Sequence, residues 1–126
     1  LTDVRKGADM FNKVKTPLLG VVENMSYMEI AGKLKTSSIK PSDIELQLDS
    51  KVIPLNDDLS FKHKFHLFKQ GGGLNESKRL DIPLLAEIPY SEDLMLSIDK
   101  GEPLVFADEN HPISEIFTQI ANSLKD

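Results

Sequence analysis

The side chains with the clearest chemical potential are Asn24 and the pair Pro89–Tyr90. Each follows a short apolar run, which reads L-L-G-V-V at 18–22 and L-L-A-E-I at 84–88. Apolar runs of this length are typical of strands that are buried on both faces of a parallel sheet. Because the carboxyl ends of parallel strands form the edge where ligands bind, we expect these three residues to lie around one crevice.

The chemistry of these residues suits a planar, nitrogen-rich ligand. A side-chain amide offers one acceptor and two donors, which matches the hydrogen-bonding edge of adenine. A proline and an aromatic ring can flank a flat base, so Asn24, Pro89 and Tyr90 are the candidate cofactor-binding residues. On the residues alone an alternative stays open, in which Asn24 caps a turn or a helix and Pro89 ends a strand.

Two histidines are candidates for a second kind of site, a metal site. His63 and His66 have i, i+3 spacing and could share a helical face, but Lys62 and Lys64 stand beside them. Their positive charge opposes a bound cation, and no carboxylate stands at ligand spacing. A solvated strand or loop is therefore expected here, and no metal site is predicted.

The paired acids of the chain have simpler explanations than catalysis. Asp57-Asp58 is typical of a turn, and Glu92-Asp93 is typical of the first turn of a helix. No arrangement of the Ser-His-Asp or paired-carboxylate kind is present, so no catalytic residue is predicted.

Composition limits the classes of partner. The 126 residues suffice for one domain, and the net charge of −5 argues against nucleic acid or an anionic membrane as a partner. No apolar run approaches the roughly 20 residues that span a bilayer. The chain has no cysteine, which excludes disulfides and thiolate metal sites. We expect a cytoplasmic protein that binds neither nucleic acid nor membrane.

The hydrophobic pattern predicts an α/β fold with parallel strands and helices on their faces. Between the two buried strands, about 28–64 is interpreted as an inserted β-rich flap with a hairpin. Ser91 is the predicted N-cap of a helix and Gly101 the residue that ends it. The remaining predicted elements are helices at about 3–15 (with Thr2 as N-cap), 74–80 after a break at 71–73, and 113–124, and an extended segment at 104–106.

Several short strings occur together in a characteristic order. They are D-V-R-K-G at 3–7, G-V-V-E-N-M-S-Y at 20–27, G-G-G at 71–73, P-L-L-A-E-I-P at 83–89 and D-K-G-E-P at 99–103. In this order the chain resembles the C-terminal part of the Mrp-type (ApbC-like) P-loop ATPases, which are related to MinD and ParA. The resemblance is good over 1–27 and about 65–126 and poor over 28–64.

The resemblance implies part of a P-loop NTPase domain spanning 1–126, with the flap inserted at about 28–64. It implies ATP, with magnesium in the parent protein, and an adenine pocket formed by Asn24, Pro89 and Tyr90. It also implies a role in iron–sulfur cluster assembly or a related ATP-dependent process, and a homodimer.

Two departures qualify that implication. Leu74-Asn75 follows the three glycines where a Walker A loop needs a Lys and a Ser or Thr, so this chain alone is not expected to hydrolyse ATP. The missing N-terminal half of the same protein is then an expected partner of this chain. Leu1 is an unusual first residue for a natural protein. The Cys-x-x-Cys motif of the family is also absent after Tyr27, so no iron–sulfur cluster is expected in this chain. The alternative function is a non-catalytic dimerisation or client-interaction module centred on 28–64.

Overall fold

The computed structural model describes residues 1–36 and 38–125. Five α-helices and six strands follow one another in a mixed α/β order. In sequence they are α1 (Thr2–Lys13), β1 (Val21–Asn24), β2 (Met28–Lys33), β3 (Leu46–Leu48), β4 (Lys51–Ile53), β5 (Ser60–Phe65), α2 (Gly72–Leu80), β6 (Leu84–Ile88), α3 (Glu92–Lys100), α4 (Leu104–Ala107) and α5 (Pro112–Ser123), with a 3₁₀ turn at Pro41–Asp43.

The chain divides into two compact units. The first comprises Leu1–Tyr27 and the chain from His66 onward, and we call it the parallel unit. The second is Met28–Phe65, and we call it the hairpin unit. It occupies the stretch in which the flap is predicted, and its status as an insertion stays a prediction.

The parallel unit is organised around β1 and β6. These strands pair in parallel, with Asn24 opposite Ile88, which confirms the predicted α/β fold with a parallel strand pair. The strand predicted at 18–22 was placed too early, since its first ladder bond joins the N–H of Val21 to the carbonyl of Pro83.

The prediction that both strands are buried on both faces was wrong for β1. Val21 and Glu23 are half-buried, whereas Val22 is 41% exposed and Asn24 is also exposed. Helix α2 packs against β1, and β6 is its one partner strand within the described residues. Alternate residues along a strand point to opposite sides, so one covered face leaves the other open.

The apolar core lies where β6 meets the C-terminal helices. Ile88, Leu104 and Ile113 are buried together, with Ile116 and Ile120 packed against them. The extended segment predicted at 104–106 was wrong, because 104–107 forms the single helical turn α4. Its backbone closes through the N–H of Asp108, which donates to the carbonyl of Leu104, and this turn directs Leu104 into the core.

Helix α2 begins earlier than predicted. Gly71 has a left-handed backbone (φ 83°) and forms the N-cap, while Gly72 and Gly73 lie inside the helix. A Cβ on Gly73 would lie 2.6 Å from Oε2 of Glu23, so this close approach requires glycine. The Gly73 N–H donates to the same oxygen at 2.9 Å, which places a carboxylate at the helix N-terminus.

Helix α1 is attached to α2 by charge rather than by apolar packing. Glu76 is almost fully buried and accepts hydrogen bonds from Nε of Arg5 at 2.5 Å and Nε of Arg79 at 2.9 Å. Arg79 also pairs with Asp9 at 3.1 Å. The two guanidinium groups, Arg5 first, hold the pKa of the Glu76 carboxyl below its ordinary value.

Helix α1 and its C-cap carry an apolar stripe that is largely uncovered. Ala8 is buried, whereas Val4, Phe11 and Val14 are 59%, 42% and 66% exposed. The predicted N-cap was also off by one residue, since Leu1 holds that position and Thr2 lies inside the helix.

The hairpin unit consists of two antiparallel ladders. Strand β2 pairs with β5 and β3 pairs with β4, and the β3–β4 pair confirms that the predicted flap contains a hairpin. Ile53 and Leu59 are its buried apolar residues. Strand β2 was not predicted individually, and the expectation of a solvated strand or loop around His63 is met by strand β5.

The described residues contain no helix that is both long and apolar enough to cross a membrane.

Candidate functional site

Two loops meet at the carboxyl ends of β1 and β6. The N–H of Ser26 donates to the carbonyl of Ile88 at 2.9 Å, and the N–H of Tyr90 donates to the carbonyl of Tyr27 at 2.7 Å. These two bonds extend the parallel pairing beyond the strands. The structure therefore brings Asn24 and Pro89–Tyr90 to the same edge, as the sequence predicts.

Among residues 1–36 and 38–125, one hydrogen bond involves the Asn24 side chain. Its Oδ1 accepts the N–H of Met25 at 2.9 Å, and Met25 has a left-handed backbone with φ of 52°. This contact has the form of the turn-capping alternative. This hydrogen bond uses only the oxygen of the amide, so both of its N–H groups can donate to a ligand.

A cleft of about 320 Å³ opens beside this amide. Its walls are largely apolar and come from both loops and from helix α3. The lining residues are Asn24, Met25, Pro89, Tyr90, Ser91, Leu94, Met95, Ile98 and Asp99. An apolar slot with one amide and one carboxylate at its margin is suited to a flat ring that carries a few polar atoms.

Helix α3 supplies the far wall of the cleft, and its first turn is fixed locally. Oγ of Ser91 accepts the N–H of Leu94 at 3.2 Å, which confirms Ser91 as the N-cap. Gly101 ends the helix with φ of 72°, also as predicted. Between these ends, Leu94 and Ile98 are one turn apart and both line the cleft.

A second cleft, of about 470 Å³, adjoins the first and shares Asn24 and Met25 with it. Its other lining residues include Glu23, Lys69, Gly73 and Glu76. Asn24 thus stands between two openings of the parallel unit, one lined by α3 and one lined by α2.

The sequence missed several residues of these clefts. Met25, Met95 and Asp99 line the first cleft, and only the helical spacing from Ser91 could have indicated the last two. The burial of Glu76 had no signal in the sequence, because its partner Arg5 is 71 positions away.

The histidines occupy separate surroundings. His63 lies in β5, with its ring against Phe65 at 4.5 Å between centroids, and its Nε2 is buried without a hydrogen-bond partner. His66 lies beyond the strand and faces the ring of Tyr27 at 6.5 Å. Over residues 1–36 and 38–125, no three His, Asp or Glu side chains are grouped to hold a metal ion.

The donor groups also bear on an iron–sulfur cluster. Such clusters are held by thiolates, and the chain has no cysteine. The residues present therefore do not fit a thiolate-held cluster.

Parallel strands flanked by helices, with polar groups just past their carboxyl ends, define an α/β protein of the kind that binds ligands at a sheet edge. Comparison with known families narrows this class. The family described as ParA, NUBPL iron-transfer P-loop NTPase, matches residues 1–51 and 57–125, and the chain belongs to that family. The match extends across much of 28–64, where the sequence motifs gave a poor resemblance.

Individual relatives agree with this assignment. The chain is 31% identical over 121 residues to an iron-sulfur cluster carrier protein of Pseudomonas fragi, covering 96% of this chain and 32% of the relative. It is 29% identical to a protein of the same description from Aquifex aeolicus, covering 98% of this chain and 26% of the relative. It is 27% identical to the mouse iron-sulfur cluster transfer protein NUBPL, covering 98% and 30%. The chain spans about a third or less of the length of these relatives.

Proposed function

We propose that this chain is the adenine-side portion of an ATP-binding protein that acts in iron–sulfur cluster assembly. The observation that carries the proposal is the cleft lined by Asn24, Pro89 and Tyr90 at the carboxyl edge of a parallel strand pair. The names of the relatives support the cluster-assembly role, and membership of a P-loop NTPase family supports the nucleotide.

In this proposal the base lies between the Pro89–Tyr90 loop and α3. The Asn24 amide donates an N–H to N1 or N7 of adenine, and its Oδ1, which has two lone pairs, accepts from the exocyclic amino group while it holds Met25 in place. The phosphates extend away from this chain to a Walker A loop of the parent protein, where magnesium is also bound. This chain holds the base and leaves phosphoryl transfer to residues outside it, so alone it does not hydrolyse ATP.

The decisive variant separates the two roles of Asn24. Asn24→Asp keeps an oxygen that accepts the Met25 N–H but has no N–H to donate, whereas Asn24→Ala loses both. Changes in amide chemical shifts measure the binding of adenosine monophosphate to the wild-type chain. This binding is expected to be weak, because no phosphate loop contributes. Asn24→Asp should reduce that binding about tenfold.

A matched control carries the same change of charge elsewhere. Asn122→Asp, on the exposed side of α5, should bind adenosine monophosphate like the wild type. If Asn24→Asp and Asn122→Asp bind equally well, Asn24 is a turn-capping residue and the proposal loses its main support. A loss of binding only in Asn24→Ala, with a lower melting temperature, would lead to the same conclusion.

The hairpin unit supports the alternative function, a dimerisation or client-interaction module. It forms its own ladders and exposes Val52 (60%) and Ile39 (49%). We further propose that the parent protein is a cytoplasmic homodimer, which rests on the family resemblance. Sedimentation equilibrium of Val52→Asp and wild type tests the module, because loss of self-association in the variant alone would favour the alternative.

A further inference from the structure

The cleft beside Asn24 runs along one stripe of helix α3. The helix and its N-cap line the cleft at i, i+3, i+4, i+7 and i+8, with Ser91, Leu94, Met95, Ile98 and Asp99. At 1.5 Å per residue, this stripe is about 12 Å long from Ser91 to Asp99. Tyr90 directly precedes Ser91, so the loops that frame the base lie at one end of the stripe and Asp99 lies at the other. A flat base does not fill this length, and room remains for the sugar of a nucleoside.

The carboxylate of Asp99 lies in an electrostatically unfavourable place. It belongs to the last turn of α3, two residues before the C-cap Gly101. The free carbonyl groups of this helix end disfavour an acidic side chain, and aspartate is also a poor helix former. Lys100 follows Asp99 directly, but residues one apart on a helix do not face each other. Over residues 1–36 and 38–125, no salt bridge of Asp99 offsets this cost.

The other two carboxylates of α3 have a structural explanation. Glu92 and Asp93 lie in its first turn, where the free N–H groups attract acidic side chains. Asp93 also contacts Nε2 of His111 at 3.1 Å. Neither acid is among the residues that line the cleft. Helix stability thus accounts for the two acids outside the cleft and not for Asp99, and a residue that breaks a local rule without compensation is a candidate for function.

We propose that Asp99 accepts hydrogen bonds from the 2′- and 3′-hydroxyls of a ribose, so that the cleft selects ribonucleotides over deoxyribonucleotides. This inference rests on the proposed function, because it takes the base to lie beside Asn24 and Tyr90. An ionised carboxylate has two acceptor oxygens and no donor, and the two adjacent hydroxyls of ribose supply two donors. Hydrogen bonds to an ionised acceptor are roughly twice as strong as neutral ones. Acidic side chains bind ribose hydroxyls in dinucleotide-binding folds by the same chemistry.

The charge of Asp99 also sets the direction of the nucleotide. The carboxylate and the carbonyl end of α3 both repel phosphate groups, so the phosphates do not lie at this end of the cleft. The 5′ carbon is on a different edge of the sugar from the two hydroxyls. With the hydroxyls on Asp99, the phosphates therefore leave the cleft away from α3, towards residues outside this chain.

Three nucleotides that differ by a single hydroxyl test the assignment. Adenosine monophosphate and its 2′-deoxy and 3′-deoxy forms are titrated into the 126-residue chain, and amide chemical shifts measure binding. The wild type should bind adenosine monophosphate about tenfold more tightly than either deoxy form, because each lacks one charge-assisted hydrogen bond. In Asp99→Ala the three nucleotides should bind alike, with the weak affinity of the deoxy forms.

A second carboxylate on the same helix provides the matched control. Glu92→Ala removes an acid that does not line the cleft, and this variant should keep the preference of the wild type for adenosine monophosphate. Asp99→Ala should also raise the melting temperature, because it removes an acid from the carbonyl end of a helix. A variant that loses the ribose preference and gains stability has lost a contact with the ligand, not its fold.

The outcomes separate this inference from the proposed function. Equal binding of the three nucleotides to the wild type would overturn the inference, as would a preference that Asp99→Ala retains. In either case the proposed function stands if Asn24→Asp still weakens binding of adenosine monophosphate. A preference that depends on Asp99 but not on Asn24 would support the ribose contact and count against the adenine pocket. Absence of binding for all three nucleotides would overturn both.

Discussion

The parallel unit and the hairpin unit solve the problem of burying a small sheet in different ways. The hairpin unit joins β2 to β5 and β3 to β4 by antiparallel ladders, and Ile53 within it is only 2% exposed. The parallel unit has one strand pair, and it leaves Val22, Leu19 and the stripe of α1 open. Antiparallel hairpins can complete their bonds within a short segment, whereas parallel strands need crossovers and further neighbours.

The two units also differ in the clefts that they offer. An open strand edge and the two clefts that share Asn24 lie in the parallel unit, whereas the hairpin unit has a cleft of about 600 Å³ lined by 33–36, Asp58 and Leu59. The long-range contacts of the parallel unit include the backbone bonds of Ser26 and Tyr90 and the ion pair of Glu76 with Arg5. The predictions below test whether the two units differ in this way.

The largest effect is expected from removing core side chains. Ile88→Ala in the parallel unit and Ile53→Ala in the hairpin unit should each cost about 2–5 kcal/mol of unfolding free energy. If the two cores are separate, hydrogen exchange will show protection lost mainly among the amides of the mutated unit. Equal loss of protection in both units for either variant would contradict the division.

A smaller effect is expected where backbone and side chain approach closely. Gly73→Ala should destabilise the parallel unit by about 1–3 kcal/mol, since its Cβ would meet Oε2 of Glu23. Gly7→Ala is the matched control, because nothing lies within 4 Å of its Cβ. That change should stabilise α1 by up to about 1 kcal/mol. Urea unfolding gives the change in unfolding free energy for each variant. A change of the same sign in both variants would contradict this prediction.

The charged attachment of α1 should show as a pH effect. The pKa of Glu76 is lowered in the folded chain, so its contribution to stability is present above its ordinary pKa and is lost as pH falls below it. Glu76→Gln should lower the melting temperature at neutral pH and speed amide exchange in α1, with a smaller effect in acid. Glu115→Gln, on an exposed face, is the control and should change neither.

The smallest effect is expected in the hairpin unit. Hydrogen bonds from Ser60, followed by one from Lys33, lower the pKa of Asp58 from 3.8 to about 2. The stabilisation is therefore present above about pH 4 and is lost as pH falls towards 2. Asp58→Asn should remove this part of the acid sensitivity from the β2–β5 amides. An unchanged acid profile in the variant would show that the bonds to Asp58 do not persist in solution.

The sequence predicted the parallel pair well for a physical reason. The apolar runs before Asn24 and Pro89 carry a local signal, and caps such as Ser91 depend on residues within one turn. The parallel direction then places Asn24 and Pro89 at the same edge, whereas the register that sets Asn24 opposite Ile88 does not follow from direction. The candidate site could be predicted to that extent, whereas the role of its residues stays a proposal.

The sequence-based predictions failed where contacts between residues far apart in the chain outweigh the local sequence pattern. Gly72 and Gly73 suggested a break, but Glu23 from another element accommodates a helix there. The sequence allowed a strand or a loop around His63 but did not indicate the partner of that strand, because β2 is some thirty residues earlier, with Glu29 opposite Lys64. Burial on both faces of β1 was wrong, because that property belongs to the neighbours of a strand rather than to its residues.

The central claim is that the parallel unit holds a nucleobase between its two loops. Intermolecular nuclear Overhauser effects between adenosine monophosphate and the labelled chain test it most directly. The account predicts contacts from adenine H2 and H8 to the Met25 methyl and the Tyr90 ring, with no contacts to residues 38–65. Contacts confined to 38–65, or binding at saturating nucleotide without any contact to Met25 or Tyr90, would contradict the claim.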